Sequence, residues 1–389
     1  MQKVRLGMVG GGTGSFIGAV HRMAAALDGK IELVSGAFSS DPARSAETGR
    51  LLGLDESRVY ASFDAMFEAE KQLPENERME LVSVVTPNHV HFEPVKKALE
   101  SGFHVICDKP LAFDLDQAYS LKKIVKNSGK IFALTHNYTG YPMVKQARYL
   151  VKCGALGKIK KVVAEYAQGW LSLPVEKTGQ KQASWRTDPS KSGIAGALGD
   201  IGTHAENLCG YITGLRIQSV CADISSLVEG RALDDDSNLL LRFDNGARGI
   251  LYASQISAGE ENNLKIRVYG EKGSLEWSQM EPNTLIVKWL DKPVQYFRTG
   301  GADICEQAAA HTRLPMGHPE GYIEAFANIY RNVALAIESQ RQGNAFNADL
   351  YDFPGIEEGV RGMEFIYQAV QSGKEENKWL VCSSEEKSI

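Results

Sequence analysis

Short apolar runs alternate with helical stretches along the first third of the chain. The runs have the length of buried strands, and the stretches between them repeat apolar residues at helical spacing. Strands and helices that alternate in this way require a parallel sheet with right-handed crossovers. We therefore expect a doubly wound α/β domain over residues 1–135 that binds a nucleotide at the carboxyl ends of its strands. The expected strands are residues 4–9, 31–38, 81–85, 105–107 and 131–134.

Strands dominate the second part of the chain from Gln218 onward. Asn245-Gly246 stands between two alternating runs and is a strong hairpin signal. We expect residues 136–389 to form an α+β domain with a large, mostly antiparallel open sheet. The other expected elements are a helix over 143–153, a strand over 162–166, a long loop over 171–196, strand pairs over 264–277 and 284–298, a helix over 323–340 and a frayed polar tail after residue 373.

A glycine-rich turn joins the first strand to the first helix. Glycines let the backbone approach a pyrophosphate, and the helix amino terminus supplies N–H donors. Gly10 and Gly12 fit the first two positions of a dinucleotide fingerprint, but the third falls on Ser15. We expect Gly18 to take over the packing function of the third glycine after an insertion of about three residues.

The second strand ends without the acidic residue that usually binds the ribose of NAD. Ser39 and Ser40 stand there instead, and Arg44 follows one turn into the next helix. Asp41 precedes Pro42 and is expected to cap that helix. The choice between NAD and NADP stays open at this point.

A short strand over residues 105–107 delivers Asp108 and Lys109 to its carboxyl end, where Pro110 stops it. A lysine at that edge is placed for chemistry, although an idle surface lysine is the alternative. We also expect the Lys109–Pro110 peptide bond to be cis.

Asp200 and His204 are four residues apart, so on a helix they share one face. A carboxylate can fix the tautomer of an imidazole and raise its basicity, which suits a general base. The alternative is a helix cap with an unrelated surface histidine. Trp185 and Arg186, in the long loop, are candidates to stack on and hydrogen-bond a sugar, or else to anchor the loop.

Composition narrows the classes of partner. A chain of 389 residues favours two domains, and a formal net charge of −5 argues against nucleic acid or an anionic membrane. The six cysteines are scattered without a metal-ligand spacing, so we expect reduced thiols, a cytoplasmic location and no metal.

The motifs occur in an order that resembles the glucose–fructose oxidoreductase, inositol dehydrogenase and MocA family of NAD(P)-dependent sugar and polyol dehydrogenases. The motifs are the glycine turn, Thr86-Pro87-Asn88 with His91, Asp108-Lys109-Pro110 and the segment 199–204. The family usually has Glu-Lys-Pro, so Asp108 is a conservative departure. Gln168-x-Trp170, Ser184-Trp185-Arg186 and the segment 196–200 are most similar to levoglucosan dehydrogenase-type enzymes, which oxidise a pyranose hydroxyl, typically at C3.

The resemblance implies a Rossmann domain, an NAD cofactor with NADP not excluded, and a homo-oligomer (dimer or tetramer) formed through the second sheet. The implied cofactor contacts are Gly10, Gly12, Thr13, Gly14, Phe16, Ile17, Ser39, Ser40, Arg44, Thr86, Pro87, Asn88, His91, Asp108, Lys109, Asn137, Trp185 and Arg186. The implied substrate contacts are Lys109, Tyr138, Gln168, Trp170, Arg186, Asp200, His204 and His318, where a helix-capping function for His318 is the alternative.

We assign Lys109, Asp200 and His204 as catalytic in hydride transfer from a ring hydroxyl. Two alternatives stay open. One is a dehydrogenase or reductase of the same family that acts on an inositol, a keto-sugar or a nucleotide sugar. The other is a catalytically silent NAD(P)-binding sugar sensor, which would be free to lose these three residues.

Overall fold

The computed structural model describes residues 2–347 and 350–382. The strands are β1 Val4–Gly10, β2 Ile31–Ala37, β3 Leu81–Val85, β4 His104–Cys107, β5 Phe132–Leu134, β6 Ile159–Ala167, β7 Ile217–Ser225, β8 Asp236–Phe243, β9 Arg248–Ser254, β10 Asn263–Gly270, β11 Gly273–Ser278, β12 Thr284–Trp289, β13 Gln295–Arg298 and β14 Leu380–Val381. The helices are α1 Phe16–Leu27, α2 Pro42–Leu51, α3 Phe63–Gln72, α4 Phe92–Glu100, α5 Leu115–Ser128, α6 Pro142–Lys152, α7 Lys181–Arg186, α8 Pro189–Ser192, α9 Thr203–Thr213, α10 Glu306–Ala310, α11 Tyr322–Arg341 and α12 Ile356–Lys374.

The described residues fall into two compact units. One comprises those within Met1–Gly140 and Tyr322–Val360, and the other those within Tyr141–Gly321 and Arg361–Ile389. The first unit contains a parallel sheet in the order β2-β1-β3-β4-β5, which is the doubly wound arrangement predicted for residues 1–135. All of its strands therefore end at one edge, and the segments that follow them lie along that edge.

Helix α11 packs on the first unit, whereas the sequence analysis assigned it to the second domain. Its periodicity showed that the helix has one apolar face, but periodicity does not say which sheet that face covers. The buried cluster joins α11 to three strands of the parallel sheet through Phe326, Ile329, Tyr330, Val333 and Ile337 on the helix and Leu6, Leu81 and Ile106 on the strands. The domain boundary predicted at residue 135 therefore misses a segment that returns to the first unit from late in the chain.

A buried polar contact fixes the position of α11. The Tyr330 hydroxyl lies 2.7 Å from Nδ1 of His21 and 2.8 Å from Oγ of Ser83. Burial lowers the pKa of His21 to about 4, so its ring is neutral at physiological pH. A hydrogen-bonded polar contact inside an apolar core favours one packing position of the helix, because a shifted helix would leave these polar groups unpaired.

The second unit is built on a sheet in the order β13-β12-β11-β10-β6-β9-β8-β7-β14. The three hairpins predicted from the sequence are confirmed, with β8 paired to β9, β10 to β11 and β12 to β13. Burial alternates along the strands: Leu239 and Leu241 are buried, while Leu240 and Arg242 between and beside them are exposed. One face of the sheet therefore forms the core of this unit, and the other is open in the single chain.

One strand pair in this sheet is parallel. β6 runs alongside β9 in parallel register, with Ala167 opposite Ser254. β10 pairs with the other side of β6 in the antiparallel sense and places Asn263 opposite Ala167. The end of β6 therefore meets the end of β9 and the start of β10, two strands that follow it much later in the chain.

Two predictions about irregular segments are wrong in detail. The expected loop over 171–196 contains α7, α8 and a 3₁₀ turn at Val175–Thr178. The expected frayed tail instead continues α12 to Lys374 and then adds β14 to the sheet edge, with Leu380 paired to Val220. Residues 383–389 of that tail lie outside the described part of the chain.

Candidate functional site

The glycine turn of the first unit is packed against the first turn of α1. Gly10 and Gly11 have φ values of 83° and 72°, in the left-handed region that favours glycine. A Cβ on Gly18 would lie 2.4 Å from Cα of Gly11. Only a glycine at position 18 permits this approach, which confirms the packing function predicted for it. Ser15 caps the helix by accepting a hydrogen bond from the Gly18 amide.

The rest of the turn is tied to the end of β2 and to α2. The Gly12 amide donates to the Phe38 carbonyl at 3.1 Å, and the Thr13 amide donates to Oγ1 of Thr48 at 3.1 Å. A guanidinium nitrogen of Arg44 lies 3.5 Å from the Thr13 carbonyl oxygen. These contacts hold the predicted residues Gly12, Thr13 and Arg44 close together at one end of the parallel sheet.

Asp41 has the capping function predicted for it. Its carboxylate accepts hydrogen bonds from the Ala43 and Arg44 amides at the start of α2. The Ser39 hydroxyl in turn accepts from the Asp41 amide, and Ser40 is exposed. Because the Asp41 carboxylate caps α2, the other polar side chains after β2 are the neutral Ser39 and Ser40 and the positively charged Arg44.

His91 orders two turns at the edge of the sheet. Its ring is buried, with Nδ1 2.8 Å from the Pro110 carbonyl oxygen and Nε2 2.9 Å from that of Thr86. Burial lowers the pKa of His91. The structure thus places His91 behind the Thr86-Pro87-Asn88 turn, where it shapes the turn through backbone contacts.

Asp108 anchors the lysine turn. One oxygen of its carboxylate accepts from the Lys109 amide at 2.9 Å and from the Thr135 hydroxyl at 2.8 Å. The Lys109 side chain is half-buried at the carboxyl end of β4. The Lys109–Pro110 peptide bond is cis, as predicted.

Two buried polar atoms at this edge bear on whether a ligand would be held there. Oγ1 of Thr86 and Nδ2 of Asn137 have no hydrogen-bond partner within the described part of the chain. They follow β3 and β5, the strands on either side of β4, which delivers Lys109. Buried polar groups are rarely left unpaired, so a bound polar molecule is expected to satisfy them. Together with the glycine turn, these residues fit a dinucleotide.

The other residues predicted for the first unit have separate environments. Phe16 begins α1 and is 68% exposed, whereas Tyr138 is buried with its ring centroid 6.3 Å from that of Tyr322. Gly14 has open space where a Cβ would stand, and Ile17 packs against the core of the unit.

In the second unit, Asp200 lies in a π-helical turn, Leu198–Gly202, that leads into α9 with His204 in its first turn. The start of this segment is capped by Asp234, whose carboxylate accepts from the Gly196 amide at 2.5 Å and the Leu198 amide at 2.7 Å. Burial raises the pKa of Asp234. Asp234 was not predicted, although the three consecutive aspartates 234–236, the last of which begins β8, were a usable signal.

The Asp200 carboxylate is held by two donors. Its Oδ2 accepts from Nε of Arg186 at 3.0 Å and from Nε2 of Gln255 at 2.9 Å. The Arg186 guanidinium lies 4.3 Å from the ring centroid of Trp185 and 5.9 Å from that of Trp170. The structure therefore brings four predicted residues together (Asp200, Arg186, Trp185 and Trp170) and adds Gln255, which was not predicted.

His204 packs against Tyr166 with ring centroids 6.2 Å apart, and the Tyr166 hydroxyl donates to Asn262 at 2.7 Å. Gln168 donates to the same oxygen of Asn262. His318, in contrast, is exposed, with Nδ1 3.1 Å from the Pro315 carbonyl oxygen.

No cluster of three or more histidine, cysteine or acidic side chains among residues 2–347 and 350–382 is arranged to bind a metal ion. No helix in the described part of the chain is both long and apolar enough to cross a membrane.

Comparisons with known proteins agree with this architecture. The family described as "Oxidoreductase family, NAD-binding Rossmann fold" matches residues 4–136, and the "GFO/IDH/MocA C-terminal domain" matches residues 144–276. The chain is 33% identical over 380 residues to the oxidoreductase YfiI of Bacillus subtilis, covering 97% of this chain and 96% of that protein. It is 28% identical over 299 residues to levoglucosan dehydrogenase of Pseudarthrobacter phenanthrenivorans, covering 71% and 73% of the two chains.

Solved structures give the same result. An inositol dehydrogenase homologue from Azotobacter vinelandii in complex with NAD⁺ superposes with a TM-score of 0.93 at 37% identity, covering 98% of this chain and 97% of that one. Its structure with NADH and myo-inositol gives a TM-score of 0.90 at 36% identity, covering 98% of each chain. The fold, the glycine turn and these matches lead to one conclusion: the chain belongs to the GFO/IDH/MocA family and is an NAD-binding oxidoreductase.

Proposed function

We propose that the chain oxidises a secondary ring hydroxyl of a sugar or polyol, with a pyranoside and its C3 position as the first candidate. The observation that carries this proposal is the Asp200 carboxylate, held by Arg186 and Gln255 one helical turn before His204, with two indoles beside Arg186. Carboxylate, guanidinium and indole side chains are suited to hydrogen-bond and stack on a sugar ring. Matches to levoglucosan dehydrogenase and to a protein crystallised with myo-inositol support this substrate class.

Each catalytic residue has a chemical function in this proposal. Hydride leaves a carbinol carbon only if the hydroxyl proton also leaves, and a ring nitrogen of His204 accepts that proton. Asp200 orients the substrate hydroxyl and stabilises the imidazolium that forms. The Lys109 ammonium stabilises negative charge that develops on the reacting oxygen. The nicotinamide, when bound, supplies the hydride acceptor at its C4.

The remaining predicted contacts keep their assignments as proposals. Gln168 and Trp170 contact the substrate, as do Tyr138 and His318, for which the support is the family resemblance alone. The glycine turn, the Thr86-Pro87-Asn88 turn, Asp108 and Asn137 hold the dinucleotide. Ser39, Ser40 and Arg44 contact its adenosine ribose and leave room for NADP as well as NAD, because none of them carries a negative charge.

The test is turnover of NAD by the purified chain with levoglucosan, glucose, glucose 6-phosphate and myo-inositol, followed by the absorbance of NADH. We expect at least one ring-hydroxyl substrate to be oxidised. With a pyranoside deuterated at C3, the deuterium should appear in the reduced nicotinamide, whereas deuterium at C2 should not appear there. Tight NADH binding without turnover of any compound would instead support the silent sensor.

We also propose that the chain forms a homo-oligomer through the open face of the second sheet. Leu240, Ile250 and Val163 lie side by side in register across β8, β9 and β6, and Leu240 is 50% exposed. A contiguous apolar row of this kind is typical of a surface that a partner covers.

The unpaired state of the six cysteines in the chain supports the proposal of a reducing, cytoplasmic location.

Sedimentation of Ile250→Glu tests the interface. A charge in the centre of the apolar row should shift the chain to a smaller species at the same concentration, because the buried carboxylate would lack a partner. Leu51→Glu, an equally drastic change at an exposed site on α2 of the first unit, serves as the matched control. A monomeric wild-type chain would contradict the proposal directly.

A further inference from the structure

Three side chains that approach from separate strands form a continuous amide cluster beside Asp200. Gln168 follows β6 and Gln255 follows β9, and the parallel pairing of these strands sets the two glutamines side by side. Asn262 precedes β10, which pairs with the other edge of β6. The cluster therefore exists only because three strand ends meet at one edge of the sheet.

The hydrogen bonds in this cluster run in a defined direction. Gln255 Nε2 donates to Oδ2 of Asp200 at 2.9 Å and to Oε1 of Gln168 at 3.2 Å. Gln168 Nε2 donates to Oδ1 of Asn262 at 2.7 Å, and the Tyr166 hydroxyl donates to the same oxygen at 2.7 Å. Trp170 Nε1 donates to Oε1 of Gln168 at 3.0 Å. The amide orientations are thus mutually consistent, with Gln255 presenting donors to Asp200.

Gln255 itself is immobilised. Gln255 is only 2% exposed. Its backbone N–H donates to the Asp235 backbone carbonyl at 2.9 Å, and its backbone carbonyl accepts from the Leu171 N–H at 3.0 Å. Asp235 is fixed in turn by an ion pair with Arg231, in which both side chains are 2% exposed. A donor held by this many contacts loses little entropy when it orients a neighbouring group.

We propose that Gln255 is a positioning residue that orients the Asp200 carboxylate and favours its ionised form through a direct hydrogen bond, while Gln168 and Asn262 fix the orientation of the Gln255 side chain. A hydrogen bond donated to a carboxylate stabilises its charged form and therefore lowers its pKa. Because Tyr166 also packs against His204, the cluster connects the surroundings of both titratable groups. This inference rests on the proposed function only in taking Asp200 as part of the reacting site.

Charged or titratable side chains also lie on the segments around Asp200, in addition to the neutral amide of Gln255. Arg186 contacts Asp200 from α7, and His204 follows it by one turn toward α9. The buried Asp234 carboxylate approaches from the segment before β8 and bonds the backbone at Gly196 and Leu198. These groups are the same in the wild-type chain and in variants at position 255, so a change in the titration of Asp200 between them reports on Gln255.

The experiment compares Gln255→Glu and Gln255→Met in the full chain. The titration of Asp200 is followed by NMR of carbon-labelled aspartate, with the signal assigned through Asp200→Asn. In Gln255→Glu, two carboxylates share one site, and the higher apparent pKa of the pair should rise by about one unit or more. Gln255→Met should raise the pKa of Asp200 by a smaller amount, because only a hydrogen bond to the charged form is lost.

Gln146→Glu is the matched control, since Gln146 is another buried glutamine of the second unit whose side chain bonds Cys305 instead of Asp200. It should leave the Asp200 titration at its wild-type position. If both variants at 255 lower thermal stability but leave that titration unchanged, Gln255 is merely structural and the inference is wrong. If Gln255→Glu does not fold, Gln255→Met decides. NMR needs no turnover, so inactivity of the wild-type chain on every sugar would contradict the proposed function without affecting this test.

Discussion

Replacement of Lys109 by Met is expected to lower kcat by about 10²–10³-fold, the loss typical of removing one stabilising donor from a reacting oxygen. Methionine keeps most of the length and apolar stem of lysine but has no charge, so the electrostatic stabilisation is removed with little change in packing. The turn itself should persist, because Asp108 bonds the backbone amide of residue 109 and the Thr135 hydroxyl. NADH affinity, measured by fluorescence, should therefore stay near its wild-type value.

Lys97→Met is the matched control for this substitution. Lys97 belongs to α4 of the same unit, and its ammonium pairs with Asp64 on the surface. Loss of such an exposed pair has little effect on stability and should leave kcat unchanged. Near-normal turnover in Lys109→Met would remove Lys109 from the catalytic residues and leave it as part of the cofactor site.

Substitution of Gln for His204 is expected to lower kcat by about 10²–10⁴-fold, the usual contribution of a positioned general base. Glutamine has a similar size and retains polar atoms, so α9 and the contact with Tyr166 should persist. A general base works only when unprotonated. Wild-type kcat/KM should therefore fall as the pH drops below the pKa of the imidazole, and the variant should lose this dependence. Added imidazole should restore part of the activity of the variant.

His311→Gln provides the comparison within the same unit. His311 is also buried, and its Nδ1 lies 2.6 Å from the Gln307 carbonyl oxygen, so it contributes to local structure at the end of α10. Its replacement should lower thermal stability without changing the shape of the pH profile. If His204→Gln kept the wild-type acid limb, the base would have to be a different residue.

Local interactions explain why much of the first unit could be read from the sequence. Asp41 and Pro42 mark the start of α2 because a carboxylate can cap the first amides of a helix and proline has no amide to leave unpaired. Gly18 could be assigned because close approach of two backbones excludes any Cβ. In the second unit, the hairpin at Asn245-Gly246 was predictable for a similar reason, because it depends on the backbone preferences of two adjacent residues.

The pairing of distant segments was not predictable in the same way. The sequence shows that α11 has an apolar face but not which sheet this face packs against. In the structure it packs against the parallel sheet of the first unit. Gln255 went unnoticed because a glutamine after a strand has no distinctive pattern. Its importance comes from the parallel pairing of β6 with β9, which a chain of successive hairpins does not suggest.

By itself, the sequence determined the doubly wound domain, the glycine turn and the lysine at the end of β4, whereas the pairing of Asp200 with His204 stays a prediction. Each of these depends on residues that are close in sequence, where backbone geometry and periodicity limit the possible structures. Only the tertiary structure decided that Arg186 and Gln255 hold Asp200, that Asp234 caps its helix and that α11 returns to the first unit. Most of those contacts join segments from different elements of the chain, and tertiary packing selects them from many arrangements that the local pattern allows equally.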